Sequence, residues 1–221
     1  MPLAQHQVAF LELLVRRQAL QFGSFTLKSG KQSPFFINAG RFCQGGDLAA
    51  LGRAYASTIR AQIGDQVQVI FGPAYKGIAL ALATAQAAEA ALHRPIGWAY
   101  DRKEAKDHGE GGSFVGAPLE PGTPVVLVDD VITAGTATRT IIAKLAPLQL
   151  DLCGLVVGVD RQQLGPDGRP ASRAIAEECD LPVHSIVTIS QAVDHLRQHP
   201  VDDAYAIDEQ QAATILQVIG R

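Results

Sequence analysis

Residues 125–139 read VVLVDDVITAGTATR, and this stretch decides the fold. An apolar strand over 125–128 runs into two acids, Asp129 and Asp130, then into a loop of small and hydroxyl residues and a helix over about 136–145. A strand that leads through such a loop to a helix N-terminus is an anion site, because free backbone N–H groups and the helix dipole favour a phosphate there. The two acids would repel the phosphate, so we expect them to face ribose hydroxyls or a metal ion. The stretch predicts a ribose 5-phosphate held at both ends.

On both sides of this stretch, apolar strand-like runs alternate with helical patterns. Strands are predicted over 67–71, 95–100, 152–159 and 183–189, and helices over 5–18, 76–92 and 208–218. Continuous Val, Ile and Leu runs separated by helices indicate an α/β fold whose parallel sheet is covered on both faces. Residues 22–41, rich in Gly, Ser and aromatic side chains, predict an irregular flap beside that sheet. We expect one domain over 1–221, with the N-terminal helix and flap in about 1–45 and the α/β core in about 46–221.

The composition narrows the classes of function. Hydrophobic residues make up 47% of the 221 residues, which is enough for a packed core. The net charge of −3 provides no strong field toward nucleic acid or a membrane, so any basic site must be local. Three cysteines without C-x-x-C spacing argue against a disulfide framework or a zinc site and favour a reducing cytoplasm. Neither a signal peptide nor a membrane span is expected, since the N-terminus lacks the signal pattern and the most apolar helical stretch carries polar residues.

A charged segment, residues 101–112, reads DRKEAKDHGEGG. It carries charges of both signs, no apolar side chain larger than alanine, and glycines at its end. A solvated, mobile surface loop has this composition, and so does a lid that closes over a charged ligand. Composition alone leaves both interpretations open.

Residues 125–139 resemble the signature with which type I phosphoribosyltransferases bind phosphoribosyl pyrophosphate (PRPP). They form neither a Walker A loop nor a G-x-G-x-x-G fingerprint. Three further segments are similar to the orotate branch of that family. They are TLKSGKQSPFFINAG at 26–40, similar to its N-terminal flap, GPAYKG at 72–77, similar to its pyrophosphate loop, and RKEAKDHGEGG at 102–112, similar to its mobile catalytic loop.

This resemblance implies a fold, an activity and partners. The fold is a type I phosphoribosyltransferase-like parallel sheet flanked by helices, with a small N-terminal flap or hood. The activity is that of an orotate phosphoribosyltransferase, which transfers the ribose 5-phosphate of PRPP to orotate and gives orotidine 5′-monophosphate and pyrophosphate in de novo UMP biosynthesis. The resemblance also implies Mg²⁺ as cofactor, held mainly through PRPP without a direct protein ligand. It implies a homodimer in which the catalytic loop is shared across the interface.

The resemblance further assigns site residues. Contacts to PRPP are implied for Lys28, Tyr75, Lys76, Arg102, Lys103, Lys106, His108, Asp129, Asp130, Val131, Ile132, Thr133, Ala134, Gly135, Thr136 and Ala137. The loop cations would also be catalytic, because they would neutralise charge that grows on the departing diphosphate. These cations are Arg102, Lys103, Lys106 and His108.

Contacts to orotate are implied for Lys28, Phe36, Ile37, Thr133 and Arg161. A planar arginine fork is the best partner for the orotate carboxylate, which favours Arg161 in that role. The family often has two successive phenylalanines where Phe36 and Ile37 stand. If an aromatic side chain stacks on the base there, Ile37 loses that contact.

A physical check does not depend on the resemblance. Polar clusters at 72–76, 101–112, 129–136 and 160–161 each follow a predicted strand. In open α/β sheets, ligands bind at the carboxyl ends of the strands. The four clusters therefore predict one site at one edge of the sheet.

Three other functions compete with this interpretation. The first is a phosphoribosyltransferase for a purine base, against which the flap, residues 102–112 and Arg161 argue. The second is a regulator that senses PRPP without catalysis, but the sequence has no helix-turn-helix head or basic arm for nucleic acid. The third is a bifunctional enzyme that also decarboxylates the nucleotide, and the chain leaves no room for a second barrel of about 250 residues.

Overall fold

The computed structural model describes residues 2–27, 30, 32–106, 112–133, 135–165 and 167–221, with the backbone alone at residues 105 and 106. Within these ranges the chain forms eight strands, seven α-helices and two short 3-10 turns. The helices are α1 Gln5–Arg16, α2 Gly45–Gln62, α3 Lys76–Leu92, α4 Thr136–Leu145, α5 Ala171–Cys179, α6 Ile189–Leu196 and α7 Glu209–Val218. The strands are β1 Leu20–Thr26, β2 Gln32–Ile37, β3 Val69–Phe71, β4 Gly97–Lys106, β5 Gly112–Gly116, β6 Pro124–Ile132, β7 Asp151–Asp160 and β8 Val183–Thr188.

Six strands form one sheet in the order β5-β4-β3-β6-β7-β8. The pairs β3–β4, β3–β6, β6–β7 and β7–β8 are parallel, which confirms the predicted parallel sheet. Only β5 runs antiparallel, at one edge beside β4. The parallel strands all present their carboxyl ends at the same edge, which is where the ligand was predicted to bind.

The central strand β6 shows why the sheet needs helices on both faces. Its Val126 and Val128 are fully buried in one core, and Val125 and Leu127 are fully buried in a second core. Since successive side chains of a strand point to opposite faces, the unbroken apolar run fills two layers at once. Residues of α1, α2, α3, α6 and α7 pack in the first core, and residues of α4 and α5 pack in the second.

The flap is regular, contrary to the prediction for residues 22–41. Strands β1 and β2 form an antiparallel hairpin that pairs Leu20 with Ile37 and Thr26 with Gln32, with an irregularity between Phe22 and Phe25. Each strand gains its hydrogen-bond partner from the other, so the polar and glycine residues that break the apolar pattern do not prevent pairing.

Two strands extend beyond their predicted ends. Strand β4 continues from 100 to Lys106, where the sequence predicted a loop over 101–112, and it pairs with the unpredicted β5. Strand β6 continues through Asp129 to Ile132 alongside β7. Polar residues are accommodated in both extensions because a neighbouring strand supplies the backbone hydrogen bonds. Residues 107–111 lie outside the described part of the chain.

Helices α3 and α4 coincide with their predicted spans over 76–92 and 136–145. The sequence analysis missed α2, α5 and α6. Among the described residues, no helix combines the length and the apolar character needed to cross a bilayer.

Candidate active site at the carboxyl edge of the sheet

The two predicted acids are consecutive residues near the carboxyl end of β6. Burial raises the pKa of Asp129 to about 7, and the negative charge of Asp130 adds to that shift. The carboxylate of Asp130 accepts a hydrogen bond from Lys76 Nζ at 2.7 Å and another from the N–H of Val131 at 2.9 Å. A carboxyl group whose pKa is raised into this range can both accept and donate hydrogen bonds, which suits contacts with vicinal hydroxyl groups.

The strand beneath these acids is fixed by a buried tyrosine. Tyr55, on α2, donates a hydrogen bond from its hydroxyl to the main-chain oxygen of Asp129 at 2.7 Å. Burial and the two nearby acids raise the pKa of Tyr55, so its hydroxyl stays a donor. Sequence reasoning missed Tyr55, because nothing local in α2 links it to β6.

The segment between β3 and α3 is a tight loop closed at its neck. A Cβ atom added to Gly72 would lie 1.9 Å from the main-chain oxygen of Gly77, and one added to Gly77 would lie 2.6 Å from the main-chain carbon of Gly72. Only glycine fits at either position. The peptide bond between Ala74 and Tyr75 is cis, and the Tyr75 side chain is exposed. At the start of α3 the N–H groups of Gly77 and Ile78 donate to the main-chain oxygens of Pro73 and Tyr75, at 2.9 and 3.3 Å, and these bonds hold the loop in shape.

The β4–β5 hairpin reaches this loop from the next strand. Lys103 Nζ lies 5.9 Å above the centre of the Tyr75 ring, which places a predicted loop cation beside the predicted pyrophosphate loop. Arg102 precedes it on the same strand. Lys106 ends β4, and its side chain lies outside the description, as does the whole of His108.

The loop after β6 leads into α4 as predicted. Gly135 caps α4 with φ +77°, and a Cβ there would lie 2.5 Å from Cδ1 of Ile175, so the turn needs glycine. The side chains of Thr133, Thr136 and Ala137 are exposed at this turn. Their position at the start of α4 suits a phosphate. Ala134 lies outside the described residues.

The side chains of Val131 and Ile132 pack in the protein interior, unlike those of the loop that follows them. The side chain of Ile132 is buried in one core, and that of Val131 packs against the other. Only their main-chain groups remain for the PRPP contacts that the sequence analysis assigned to them.

Arg161 is the most unusual cation in the described part of the chain, since it is only 5% exposed. Its guanidinium carbon lies 4.6 Å above the Phe35 ring, and it donates hydrogen bonds to Gln163 Oε1 at 3.0 Å and to Ser33 Oγ at 3.4 Å. Burial lowers the pKa of Arg161. No carboxylate of the described residues lies within 4.0 Å of the guanidinium, so the charge has hydrogen bonds without a counter-ion. A buried cation of this kind is suited to bind an anionic ligand.

The flap hairpin covers Arg161 with residues that the sequence analysis did not select. Ser33 and Phe35 contact Arg161, whereas the predicted Phe36 lies on the other face of β2 and stacks on Phe25 at 5.6 Å. Ile37 packs against the core. The period-2 alternation of β2 would have identified Ser33 and Phe35 if the segment had been read as a strand. Lys28 lies outside the described residues.

The fold and the polar groups at the carboxyl edge of the sheet are those of a phosphoribosyltransferase. The family model of the phosphoribosyl transferase domain matches residues 41–198. The chain is 47% identical to the orotate phosphoribosyltransferase of Bifidobacterium animalis subsp. lactis over 82% of both chains. It is 42% identical to that of Acinetobacter baumannii over 93% of this chain and 94% of the other.

A solved structure agrees with these relatives. The orotate phosphoribosyltransferase of Francisella tularensis superimposes with a TM-score of 0.79 at 34% identity, over 94% of this chain and 96% of that one. The chain belongs to the orotate phosphoribosyltransferases.

Proposed function

We propose that this chain transfers the ribose 5-phosphate of PRPP to orotate, releasing pyrophosphate and forming orotidine 5′-monophosphate on the route to UMP. The observation that carries the choice of base is Arg161, a buried cation with no counter-ion among the described residues. A neutral purine base would leave that charge unpaired in the complex. The orotate carboxylate would pair with it through a charge-assisted hydrogen bond.

PRPP would lie along the edge from α4 to α3. Its 5-phosphate would accept hydrogen bonds from the N–H groups at the start of α4 and from Thr136. Asp129 and Asp130 would bind the ribose hydroxyls, and the diphosphate would lie against the loop that carries Tyr75 and Lys76. This arrangement holds the ribose at both ends and leaves its C1 free to face orotate.

The transfer breaks the C1–O bond and forms a bond between C1 and a ring nitrogen of orotate, and the proton of that nitrogen is released to solvent. Electrons of the broken bond leave with the diphosphate, so negative charge grows there as the bond lengthens. Cations of the β4–β5 hairpin, Arg102, Lys103 and Lys106, would neutralise that charge together with His108. Such preorganised charge lowers the barrier most when water is excluded.

Magnesium fits the donors present at this edge. Asp129 and Asp130 offer hard carboxylate oxygens, and the described residues contain no cluster of three or more His, Cys, Asp or Glu side chains that could hold a metal by themselves. This donor set suits an ion that takes most of its ligands from substrate phosphates. When bound, Mg²⁺ would neutralise part of the diphosphate charge. The carboxylates would meanwhile orient the ribose.

We further propose a homodimer that shares the catalytic loop, a single domain over 1–221, and a cytoplasmic location. An exposed apolar face that includes Tyr75, Leu82 and Trp98 borders the groove along α3 and supports association with a second copy. This face adjoins the pyrophosphate loop through Tyr75. Free Cys43, Cys153 and Cys179 support a reducing compartment.

Replacing Arg161 tests the choice of base. Arg161→Met should weaken orotate binding about 10- to 150-fold, the range for loss of a charge-assisted contact, and leave the Kd for PRPP within about twofold. Isothermal titration with each ligand, beside an orotate absorbance assay with PRPP and magnesium, measures both effects. Arg173→Met, an exposed arginine of α5 paired with Glu177, is the control and should change neither.

Turnover of adenine, hypoxanthine or uracil by the wild-type chain, without turnover of orotate, would overturn the proposed function. An unchanged orotate Kd in Arg161→Met would remove Arg161 from the site without affecting the reaction assignment.

A further inference from the structure

The β4–β5 hairpin leaves the sheet at a definite point. Strand β4 pairs with β3 only from Gly97 to Ala99, where Ala99 lies beside Phe71. From Tyr100 onward its partner among the described strands is β5 alone. A two-stranded hairpin is marginally stable by itself. The segment that carries the loop cations therefore needs an additional contact to fix its direction.

One lysine supplies that contact at the point of departure. Lys144, in the last turn of α4, places Nζ 3.1 Å from Oδ2 of Asp101 and 2.9 Å from the main-chain oxygen of Arg102. The same Nζ lies 5.4 Å from the centre of the Phe114 ring on β5. Asp101 and Phe114 are register partners, so one ammonium group contacts both strands of the hairpin at its base.

The carboxylate of Asp101 also contacts a third segment, the loop between β3 and α3. Oδ1 of Asp101 accepts a hydrogen bond from the N–H of Ala74 at 2.9 Å, inside the loop between β3 and α3. Asp101 is buried, and Lys144 is its counter-ion in the described structure. A single ion pair, Lys144 with Asp101, thus joins three segments: helix α4, the base of the β4–β5 hairpin and the loop between β3 and α3.

We propose that Lys144 is a positioning residue for the transfer: through Asp101 and the main-chain oxygen of Arg102 it sets the direction in which the β4–β5 hairpin presents Arg102 and Lys103 to the diphosphate. This inference rests on the proposed function and extends it to a residue that touches no substrate. Because α4 begins where the 5-phosphate would bind, the pair also links that phosphate to the catalytic cations. Misplacement of a catalytic group by about 1 Å can lower the rate roughly 100-fold.

The test replaces Lys144 by methionine, which keeps an unbranched apolar stem over Phe114 and removes the charge. Lys144→Met should lower kcat roughly 10- to 100-fold. It should leave the KM for orotate within about twofold, because the Arg161 contacts involve β2 and not this hairpin. Lys144→Arg keeps a cation for Asp101 and should recover most of kcat. Steady-state kinetics and thermal melting of each variant provide the readouts.

A matched control comes from another pair of the same kind. Arg17 and Lys144 have side chains that are 36% and 31% exposed, and they pair with the buried carboxylates of Asp47 and Asp101, which are 2% and 12% exposed. Arg17→Met should lower Tm about as much as Lys144→Met does and leave kcat within about twofold. If the two variants have similar Tm values, a lower kcat in Lys144→Met alone is an effect on positioning and not on stability.

A double variant gives a second, independent measurement. Asp101→Asn keeps an oxygen for the Ala74 N–H and removes the charge, so it should show the same split between kcat and orotate KM. If the pair acts as a unit, Asp101→Asn with Lys144→Met should be no slower than the slower single variant. If Lys144→Met does not yield folded protein, the kcat and orotate KM of Asp101→Asn alone still test the proposal, since asparagine retains the shape of the side chain.

Two results have distinct meanings. An active wild-type enzyme whose Lys144→Met variant keeps its kcat and loses only Tm, as Arg17→Met does, would overturn the positioning role. A wild-type chain that does not use orotate would instead overturn the proposed function.

Discussion

Two residues at the carboxyl edge of the sheet, Arg161 and Asp129, are ionisable groups whose pKa values are shifted by their surroundings. Arg161 is a buried cation without a carboxylate within 4.0 Å among the described residues, and burial lowers its pKa. Asp129 is a half-buried acid whose pKa is raised to about 7 by desolvation and by the charge of Asp130. Groups with pKa values shifted in this way are common at binding sites, which agrees with the roles proposed for both residues.

The sequence predicted these residue types and their place in the chain, but not their surroundings. Asp129 and Arg161 follow strongly apolar runs, which placed them at the ends of buried strands. The contacts of Arg161 with Ser33 and Phe35 join positions more than a hundred residues apart, so no local pattern could reveal them. The bond between Tyr55 and the main-chain oxygen of Asp129 spans 74 residues and is equally invisible to a local pattern.

Asp129 makes the stability of the ligand-free enzyme depend on pH. Its folded pKa of about 7 lies above the ordinary value of 3.8, so its contribution to stability is complete below that ordinary value and is lost as pH rises through about 7. Between pH 5 and pH 8, the unfolding free energy of the wild type should fall by about 1–3 kcal/mol relative to Asp129→Asn. Urea denaturation of both proteins at four pH values measures this difference.

Asp130→Asn is the control for that measurement. Removing the neighbouring negative charge takes away one cause of the raised pKa, so the fall between pH 5 and pH 8 should become smaller. Parallel stability curves for wild type and Asp129→Asn across the range would contradict the raised pKa.

Helices and strands were predictable where a single stretch determines them. The spans 76–92 and 136–145 match α3 and α4, since an uninterrupted helical pattern ends at a clear boundary in each. Hairpin β1–β2 and the ends of β4 and β6 were missed because a partner strand, and not local composition, stabilises polar residues there. Helix α2 was missed for a different reason: its glycines lower the helix propensity of that stretch of sequence.

Gly52 shows what a glycine contributes inside α2. A Cβ there would lie 2.2 Å from the main-chain oxygen of Ala83, so α2 and α3 approach each other at backbone distance. Gly52→Ala should lower the unfolding free energy by about 1–3 kcal/mol, although alanine favours an isolated helix by about 1 kcal/mol. Chemical denaturation measures the change.

The same helix offers the matched control at Gly46, where an added Cβ meets no atom within 4 Å. Gly46→Ala should leave stability unchanged or raise it by up to about 1 kcal/mol. Equal effects of the two alanines would show that helix propensity, and not the close approach to Ala83, decides the outcome.

At the scale of the whole molecule, the exposed face along α3 lies next to the catalytic edge. Tyr75 belongs to both, since it stands in the loop proposed to bind pyrophosphate and borders the apolar groove that includes Leu82 and Trp98. A second copy on that face would lie close to the diphosphate. The proposed dimer thus concerns the completeness of the active site as well as the burial of apolar surface.

Subunit complementation tests whether the loop acts across the dimer. Lys106→Ala and the double variant Asp129→Asn with Asp130→Asn should each be inactive. Equal mixing should restore about a quarter of wild-type activity, because half of the dimers are mixed and each contains one site with both parts intact. Activity is measured by orotate absorbance after subunit exchange, which native mass spectrometry verifies. No recovery after verified exchange would show that each loop serves its own subunit.

The closed neck of the loop between β3 and α3 has a consequence for redesign. Because a Cβ atom at Gly72 or Gly77 would overlap the main chain of the other, the loop closes into a ring whose neck has a fixed width. Replacing the exposed Tyr75 would alter the chemistry of the ring without altering that neck, whereas Lys76 is also held by Asp130. A larger leaving group would not be accommodated by substitutions inside the ring, since the neck itself would have to open and move α3 away from β3.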